Sequence, residues 1–207
     1  MKRIDINSWE RKTQYEFFKD FEDPFFSATS NIDCTNLYLS VKKSGKSFFT
    51  AYMHKALKAL NEIPEFCTRI VDDQIIQFGQ INGSTTVFKE DHTFSFCYFD
   101  YMEDFESFSL ATTASINKAK HSNSLKTIQN LDLIYVSVIP WRSFTSLKHP
   151  RSGDKKDSVP RIVFGKVFEQ NGKFMMPVTV DAHHSLVDGF HVSKFFNRFE
   201  ELLIIIR

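Results

Sequence analysis

The chain has 207 residues, which is enough for one domain with a substantial core and too few for two ordinary domains. Hydrophobic residues make up 42% of the sequence and charged residues 25%, the balance of a soluble globular protein. The net charge of +1 provides no broad basic surface, so we expect neither nucleic acid nor an anionic membrane as partner.

The ends of the chain and its cysteines indicate the compartment. The opening MKRIDINSWE lacks the apolar stretch of a secretory signal, and the run LLIII near the end is too short to cross a bilayer. The 3 cysteines are widely spaced and form no CxxC pair, which predicts neither a disulfide framework nor a zinc knuckle. We therefore expect a cytoplasmic protein with a single domain over residues 1–207.

The first half of the chain mixes short strands with helices. KRIDI alternates like a strand, and SWERKTQYEFFKDF predicts a helix capped by Ser8, with Trp9, Phe17 and Phe21 among its apolar positions. FFSATSNIDCT is typical of a strand. SFFTAYMHKALKALNEI is rich in alanine and leucine, and predicts a helix that stops near Pro64.

Further strands follow. TRIVDDQIIQF predicts a hairpin turning at Asp72-Asp73, and STTVF and TFSFCYFDY predict two more strands. A helix is expected from Asp104 to Lys120. LDLIYVSVIP is apolar on both faces and halted by Pro140, the pattern of a strand covered on both sides.

The last third combines a loop, a hairpin and a helix. RSGDKKDSVP at 151–160 predicts a surface loop, and RIVFGKVFEQNGKFMMPVTVDAHH a long hairpin with its turn at Asn171-Gly172. The closing helix has one apolar face, formed by Val192, Phe195, Phe196, Phe199, Leu202 and Leu203. Strands and helices without strict alternation indicate an α+β or mixed α/β sandwich.

The stretch HHSLVDGFHV carries the strongest chemical signal. Side chains alternate along a strand, so His184 shares a face with Val180 and Ala182, whereas His183 shares the other face with Asp181. Only one imidazole can therefore point into a given cleft. A neutral histidine at a strand end can accept a proton at cellular pH, and Asp188 could cap the following helix.

Structural explanations compete with these functional ones. A histidine near an apolar strand is more often structural than catalytic, and a metal site of His183, His184 and Asp188 lacks further ligands at a suitable spacing, so we expect no metal. Considered alone, the other candidates have ordinary explanations: a filler at Ser137, a solvated charge at Arg11 and a core position at Trp141.

Several segments in order resemble the chloramphenicol acetyltransferase family. HHSLVDGFHV resembles its HHxxxDG signature, and the similarity continues through SWERKTQYEFF, IPEFCTRI, TTVFKEDHTFSF, SVIPWRSFTS and GKVFEQNGKFMMPVTV, nearly the whole chain. The resemblance implies a two-layer α/β sandwich of the CoA-dependent acyltransferase type. It also implies a homotrimer with active sites between subunits, and acetyl-CoA as cosubstrate with no permanently bound cofactor.

The resemblance assigns a role to each site residue. His184 matches the general base that takes the proton of an acceptor hydroxyl as it attacks the thioester, and Ser137 the serine that stabilises the oxyanion. Asp188 and Arg11 match a structural ion pair. The remaining matches are His183 as structural partner, Gly189 at the turn, Phe18, Phe94 and Leu147 at the acceptor, and Trp141 and Lys166 near CoA.

Departures from the family concern mainly the acceptor. Val187 replaces a cysteine, Asp181 replaces a glutamine, and Val163 replaces a threonine that helps to hold water near the oxyanion. SLKHPRSGDKKDSVP replaces a segment resembling FNLN. We therefore expect acetyl transfer to a small hydroxyl acceptor, with chloramphenicol as first candidate.

Three alternatives accompany this hypothesis. A different small hydroxyl compound could be the acceptor, because the polar loop reshapes the pocket. A dihydrolipoyl acyltransferase core shares HHxxxDG, but this chain has no lipoyl domain or linker. A non-catalytic trimeric binding protein could retain the fold, although it would need neither His184 nor Ser137 in place.

Overall fold

The computed structural model describes residues 1–122, 125, 130–151 and 157–204. In chain order its strands and α-helices are β1 Lys2–Ile4, α1 Lys12–Phe18, β2 Phe25–Asp33, α2 Thr35–Ser44, α3 Phe48–Asn61, β3 Thr68–Val71, β4 Gln74–Gln77, β5 Asn82–Phe88, β6 Phe94–Phe99, α4 Phe105–Lys120, β7 Leu133–Ile139, β8 Arg161–Gly165, β9 Phe168–Gln170, β10 Lys173–His183 and α5 Gly189–Ile204.

Two sheets organise these elements. The large sheet has the order β2-β10-β8-β7-β5-β6, with β9 added beside β10, and a small sheet has the order β1-β4-β3. Strands β5, β7 and β8 are parallel to one another, whereas β10 runs antiparallel to β2, β8 and β9. The carboxyl end of β10 therefore lies beside the amino ends of β7 and β8.

Helices α2 to α5 form a layer on one face of the large sheet. Val178, Val180 and Ala182 of β10 are each 0% exposed and belong to the same core as Phe195 and Phe199 of α5. Burying a phenylalanine or valine side chain contributes about 1.5–3 kcal/mol to stability relative to leaving it exposed. This shared core therefore holds β10 against α5. The two-layer α/β sandwich predicted from the sequence is confirmed.

Both predicted hairpin turns are present. Asp72 and Asp73 have φ of 47° and 60°, and Asn171 and Gly172 have φ of 52° and 76°. Two-residue hairpin turns with both central residues in the left-handed conformation have a backbone twist that matches the twist of the strands they connect. Asparagine, aspartate and glycine tolerate that conformation best, which is why the sequence signals the turns.

Two local predictions are wrong and one helix was missed. Ser8 ends a 3-10 turn and does not cap α1, which begins at Lys12 with Arg11 at its N-cap position. Helix α2 was not predicted. Residues 152–156 of the expected surface loop lie outside the described residues, but Ser158 and Val159 are buried, because the Ser158 hydroxyl accepts the Ile70 N–H at 2.9 Å.

The strand β7 is also less covered than expected. Leu133, Ile134 and Val136 are buried, whereas Ser137 and the two residues after it are half-exposed. The three cysteines are free and buried. No helix in the described part of the chain is long and apolar enough to span a membrane.

Candidate active site

The turn after β10 is held by backbone hydrogen bonds. The N–H of His184 donates to the carbonyl of Pro24 at 2.8 Å, which extends the pairing of β10 with β2 by one residue. The N–H groups of Leu186 and Val187 donate to the carbonyl of His183 at 2.9 and 3.0 Å. These bonds give partners to the backbone groups of the turn where the chain leaves the sheet, and they determine the direction in which α5 starts.

The imidazole of His184 lies between aromatic rings. It stacks on Phe18 with centroids 4.3 Å apart and an interplanar angle of 5°, and it contacts Phe26 at 4.6 Å. The residue is half-buried, and its Nδ1 is buried without a hydrogen-bond partner among the described residues. The ring is thus held by apolar packing, in a place where a small molecule could reach it.

His183 has a different environment. It is 2% exposed, packs edge-on against Phe25 at 5.0 Å, and its Nδ1 accepts the Ser185 N–H at 3.3 Å. Burial, followed by the charge of Arg151, lowers the pKa of His183 to about 4. His183 is therefore neutral near pH 7, as suits a structural histidine.

Asp188 joins three segments of the chain. One of its oxygens, Oδ2, accepts from Nη1 of Arg11 at 2.8 Å, and Oδ1 accepts the Phe190 N–H at 3.0 Å, so the predicted helix cap is present. Arg11 Nη2 also donates to the carbonyl of His184 at 3.4 Å. Burial raises the pKa of Asp188, but the Arg11 hydrogen bond, the charges of Arg11 and His191 and the Phe190 N–H outweigh it and lower the pKa.

His191 belongs to this cluster although the sequence did not single it out. Its Nδ1 lies 2.8 Å from Asp188 Oδ1, and its Nε2 lies 3.5 Å from Oε1 of Glu65. The available signal was the spacing of three residues in the first turn of a helix, which brings side chains together.

Gly189 is not required by the backbone. Its φ is not among the positive values of the chain, and a Cβ built on it would meet nothing within 4 Å. The expectation that glycine permits the turn is therefore not supported by steric need in the chain described.

The charge added at Asp181 has a partner. Asp181 is 1% exposed, its Oδ2 accepts from Nη2 of Arg151 at 2.8 Å, and its Oδ1 accepts from Ser27 at 3.1 Å. The Arg151 guanidinium also lies over the ring of Phe25. Lys148 pairs with Asp23 at 2.6 Å, so the segment carrying Leu147 lies near the end of β10.

Ser137 lies far from His184 within one chain. Ser137 pairs with Val163 on β8, and Val163 pairs with Thr179 on β10, so these three residues form one row across the sheet. His184 lies five residues beyond Thr179, which is about 17 Å along the strand, and two strand spacings add about 10 Å sideways. The two residues are thus roughly 19 Å apart, too far to act on one carbonyl.

The other candidates divide in the same way. Trp141 follows the carboxyl end of β7, and Lys166 follows the carboxyl end of β8. Trp141 is 62% exposed, and its ring centroid lies 5.2 Å from that of Phe88. Lys166 is also exposed. Phe94 is 46% exposed and pairs with Phe88, at the same edge as Ser137. The opposite edge carries His184, His183, Asp188, Arg11, Phe18 and the segment of Leu147.

The edge that carries His184 also has exposed aromatic surface. Phe17 and Phe21 are 64% and 43% exposed, and both rings contact Phe18 at 4.9 and 5.1 Å. No group of three His, Cys, Asp or Glu side chains in the described residues could hold a metal ion.

Comparisons with known proteins agree with one family. The family model "Chloramphenicol acetyltransferase" matches residues 1–200. A chloramphenicol acetyltransferase of Clostridium perfringens is 33% identical over 205 residues, with 96% of this chain and 93% of that protein covered. Chloramphenicol acetyltransferase 3 of Escherichia coli is 28% identical, with 97% and 95% covered.

Solved structures give the same result. A chloramphenicol acetyltransferase superposes with a TM-score of 0.91 at 30% identity, covering 98% of this chain and 100% of that one. A dihydrolipoamide acetyltransferase of Azotobacter vinelandii has a TM-score of 0.67 at 14% identity, covering 93% and 86%, a likeness of fold alone.

Proposed function

Because the chain belongs to the chloramphenicol acetyltransferase family and is an acyltransferase that uses acetyl-CoA, we propose that it acetylates a hydroxyl of chloramphenicol. The observation that carries the proposal is the placement of His184. Its ring lies between Phe18 and Phe26, and its backbone is held on both sides, by Pro24 and by Arg11. A base held in this way is preorganised for proton transfer.

His184 acts as general base. Since Nδ1 is buried, Nε2 takes the proton of the acceptor hydroxyl while the hydroxyl oxygen attacks the thioester carbonyl of acetyl-CoA. The tetrahedral intermediate then breaks its C–S bond, and the departing sulfur of CoA takes the proton from the imidazolium. Asp188, Arg11 and His183 organise the turn, and no acyl-enzyme is required.

Ser137 stabilises the oxyanion from a neighbouring copy. For the reaction at the thioester carbonyl, the base and the oxyanion donor must each lie within about 3 Å of the reacting atoms. Within one chain, His184 and Ser137 are roughly 19 Å apart. Two copies that bring opposite edges together supply both residues. This separation supports a homotrimer with its active sites at the interfaces.

The same arrangement places the substrates. Trp141 and Lys166, at the edge of Ser137, hold acetyl-CoA, and Phe94 reaches the acceptor from that copy. Phe18 and Leu147 contact the acceptor from the copy that supplies His184. The supply of acetyl-CoA favours a cytoplasmic protein.

A second acceptor is favoured by one observation. Arg151, in the segment SLKHPRSGDKKDSVP, pairs with the buried Asp181 on the strand that leads to the histidines. A charged segment there favours a more polar hydroxyl compound than chloramphenicol, with the same chemistry at His184.

The test measures free CoA thiol released from acetyl-CoA in the presence of chloramphenicol. The His184→Ala variant should lose at least about a hundredfold in kcat, whereas the exposed His121→Ala serves as matched control and should keep wild-type turnover. Turnover unaffected in His184→Ala would exclude His184 as base. Wild-type protein that binds acetyl-CoA but releases no thiol would exclude chloramphenicol and direct the search to other hydroxyl compounds.

A further inference from the structure

We propose that Phe144 is a positioning residue for acetyl transfer, because its contact with Gly165 anchors a segment that holds the backbone around His184. The segment is residues 142–151, called the strap below, which lies between β7 and β8 in the chain. The inference rests on the proposed function, in which His184 is the base. The observation is the close approach of the Phe144 ring to a glycine of β8.

Gly165 is required for this approach. A Cβ built on it would lie 2.8 Å from Cε1 and 3.2 Å from Cδ1 of Phe144, and the first is a distance that real Cβ contacts essentially never show. The φ of Gly165 is not among the positive values of the chain described, so its backbone conformation would accept another residue. The missing side chain is therefore what admits the Phe144 ring.

The Phe144 ring lies on the face of the large sheet that the helices leave open. Phe164 is 1% exposed in the core shared with the helices, and side chains alternate along a strand, so position 165 points to the other face. Pro177 of β10 is on the same side, with its Cγ 3.1 Å from the added Cβ. Phe144 therefore fixes the strap to β8 and β10 at the edge that carries Ser137.

The other end of the strap holds the start of β2. Lys148 pairs with Asp23 at 2.6 Å. Arg151 pairs with the buried Asp181 at 2.8 Å, and its guanidinium lies over the ring of Phe25. The strap therefore reaches from its anchor to the opposite edge of the same sheet.

These contacts involve both neighbours of Pro24, the residue that holds the backbone of the base. The carbonyl of Pro24 accepts the N–H of His184 at 2.8 Å, and Phe25 packs edge-on against His183 at 5.0 Å. A strap without its anchor would hold Pro24 less firmly, and the turn after β10 would loosen with it. A displacement of about 1 Å in a catalytic group can cost about a hundredfold in rate, so partial loosening should be visible in kcat.

Steric complementation tests the contact. Gly165→Ala forces the Phe144 ring out of place, whereas Phe144→Leu in the same chain removes Cε1, the atom that the new Cβ would meet first. We expect Gly165→Ala to lose about tenfold in kcat with chloramphenicol and the double variant to return to within about threefold of wild type, with KM for acetyl-CoA unchanged in both. The approach to Pro177 is the same in both variants, so their difference reports Phe144.

Two further variants complete the comparison. Gly79→Ala is the matched control and should keep wild-type kcat, because a Cβ there would meet nothing within 4 Å. Phe144→Ala removes the anchor without adding an atom to the sheet, and it should show the same tenfold loss if Gly165→Ala does not fold.

Two kinetic results would overturn the proposal. One is an equal loss of kcat in Gly165→Ala and in the double variant. The other is a raised KM for acetyl-CoA that Phe144→Leu does not reverse, which would assign the effect of Gly165→Ala to the adjacent Lys166.

Amide exchange at His184 gives a readout that does not depend on the acceptor. Because its N–H donates to Pro24, its exchange measured by NMR should be about tenfold faster in Gly165→Ala than in wild type and close to wild type in the double variant. The amide of Leu57, in the helical layer, reports global unfolding, and the His184 rate is read relative to it.

If His184 follows this pattern but wild type acetylates no chloramphenicol, the proposed acceptor fails and the role of Phe144 stands. If the His184 amide exchanges equally in all three proteins, the role of Phe144 fails whatever the acceptor.

Discussion

At the level of single residues, the ion pair of Asp181 and Arg151 is a clear example of a buried charge pair. Asp181 is fully desolvated, and the side chain of Arg151 is 13% exposed. Breaking a buried pair by removing one partner leaves an uncompensated charge, which costs about 3–5 kcal/mol, whereas replacing both partners costs much less. The pair therefore allows a carboxylate to be buried on β10.

We expect Arg151→Leu to lower the free energy of unfolding by about 3 kcal/mol, and Arg151→Leu with Asp181→Asn to recover at least half of that loss. Urea denaturation measures both variants. Lys148→Leu breaks an exposed pair in the same segment and should change stability by less than about 1 kcal/mol. A loss under about 0.5 kcal/mol in Arg151→Leu would show that the pair is not desolvated in solution.

Asp188 predicts a dependence on pH. Its folded pKa lies below the ordinary value of about 3.9, so the unfolded chain binds the proton more readily. The stabilisation is complete above about pH 5 and is lost as pH falls through the folded pKa.

The free energies of unfolding of wild type and Asp188→Asn should therefore differ most near pH 6 and converge as pH falls through the folded pKa of Asp188. Chemical denaturation across this range measures the difference. A gap that stays constant with pH would mean that Asp188 has the same pKa in both states, and would remove its ion pair with Arg11 as a source of stability.

At the level of elements, Arg69 connects the small sheet to the large one. It is 0% exposed, and its guanidinium donates to the carbonyls of Phe66, Thr68, Leu131 and Leu133 at 2.7 to 2.9 Å. Burial lowers its pKa to about 10, so the charge remains at neutral pH and is balanced by four carbonyl dipoles.

Lysine cannot reproduce this planar set of donors. We expect Arg69→Lys to lower the free energy of unfolding by about 2–4 kcal/mol, because carbonyls buried beside β3 and β7 lose their donor. The exposed Arg3→Lys on β1, in the same small sheet, is the control and should be neutral. Equal midpoints for the two variants in thermal unfolding would contradict the account.

Elements were predictable where local chemistry decides the structure. The turns at Asp72-Asp73 and Asn171-Gly172, the helix expected from Asp104 to Lys120 and the apolar face of α5 all follow from residue type and spacing. Helix α2 was missed because its apolar pattern is short and mixed with lysines. His191 was missed although its spacing of three residues from Asp188 is visible in the sequence. Its other charged neighbour, Glu65, is distant in sequence.

At the level of the whole molecule, strand order is what the sequence could not supply. Motifs identify Ser137 and His184 as candidates, but nothing local shows that β8 separates β7 from β10 or that β10 runs antiparallel to both. Long-range pairing decides these relations. They divide the candidate site between two edges of one chain, which is why the proposed mechanism requires two copies.

Mixing two inactive variants tests this division. Ser137→Ala retains His184, and His184→Ala retains Ser137. If each site takes its base from one copy and its serine from the next, an equal mixture refolded together should recover about one quarter of wild-type sites, because a quarter of interfaces pair two intact residues. Free CoA thiol released from acetyl-CoA measures the recovery.

As the control, the two variants are folded separately and then mixed under conditions in which subunits do not exchange. This mixture should show only the residual activity of each variant. Every site of one assembly would then lack Ser137, and every site of the other would lack His184. Recovery only after joint refolding requires that a complete site contain residues of two copies. If joint refolding restores nothing, although each variant alone forms the wild-type oligomer by sedimentation, Ser137 and His184 do not form one site between two copies. Because the register of β7 and β10 with β8 keeps the two residues apart within one chain, that outcome would exclude Ser137 as the oxyanion donor.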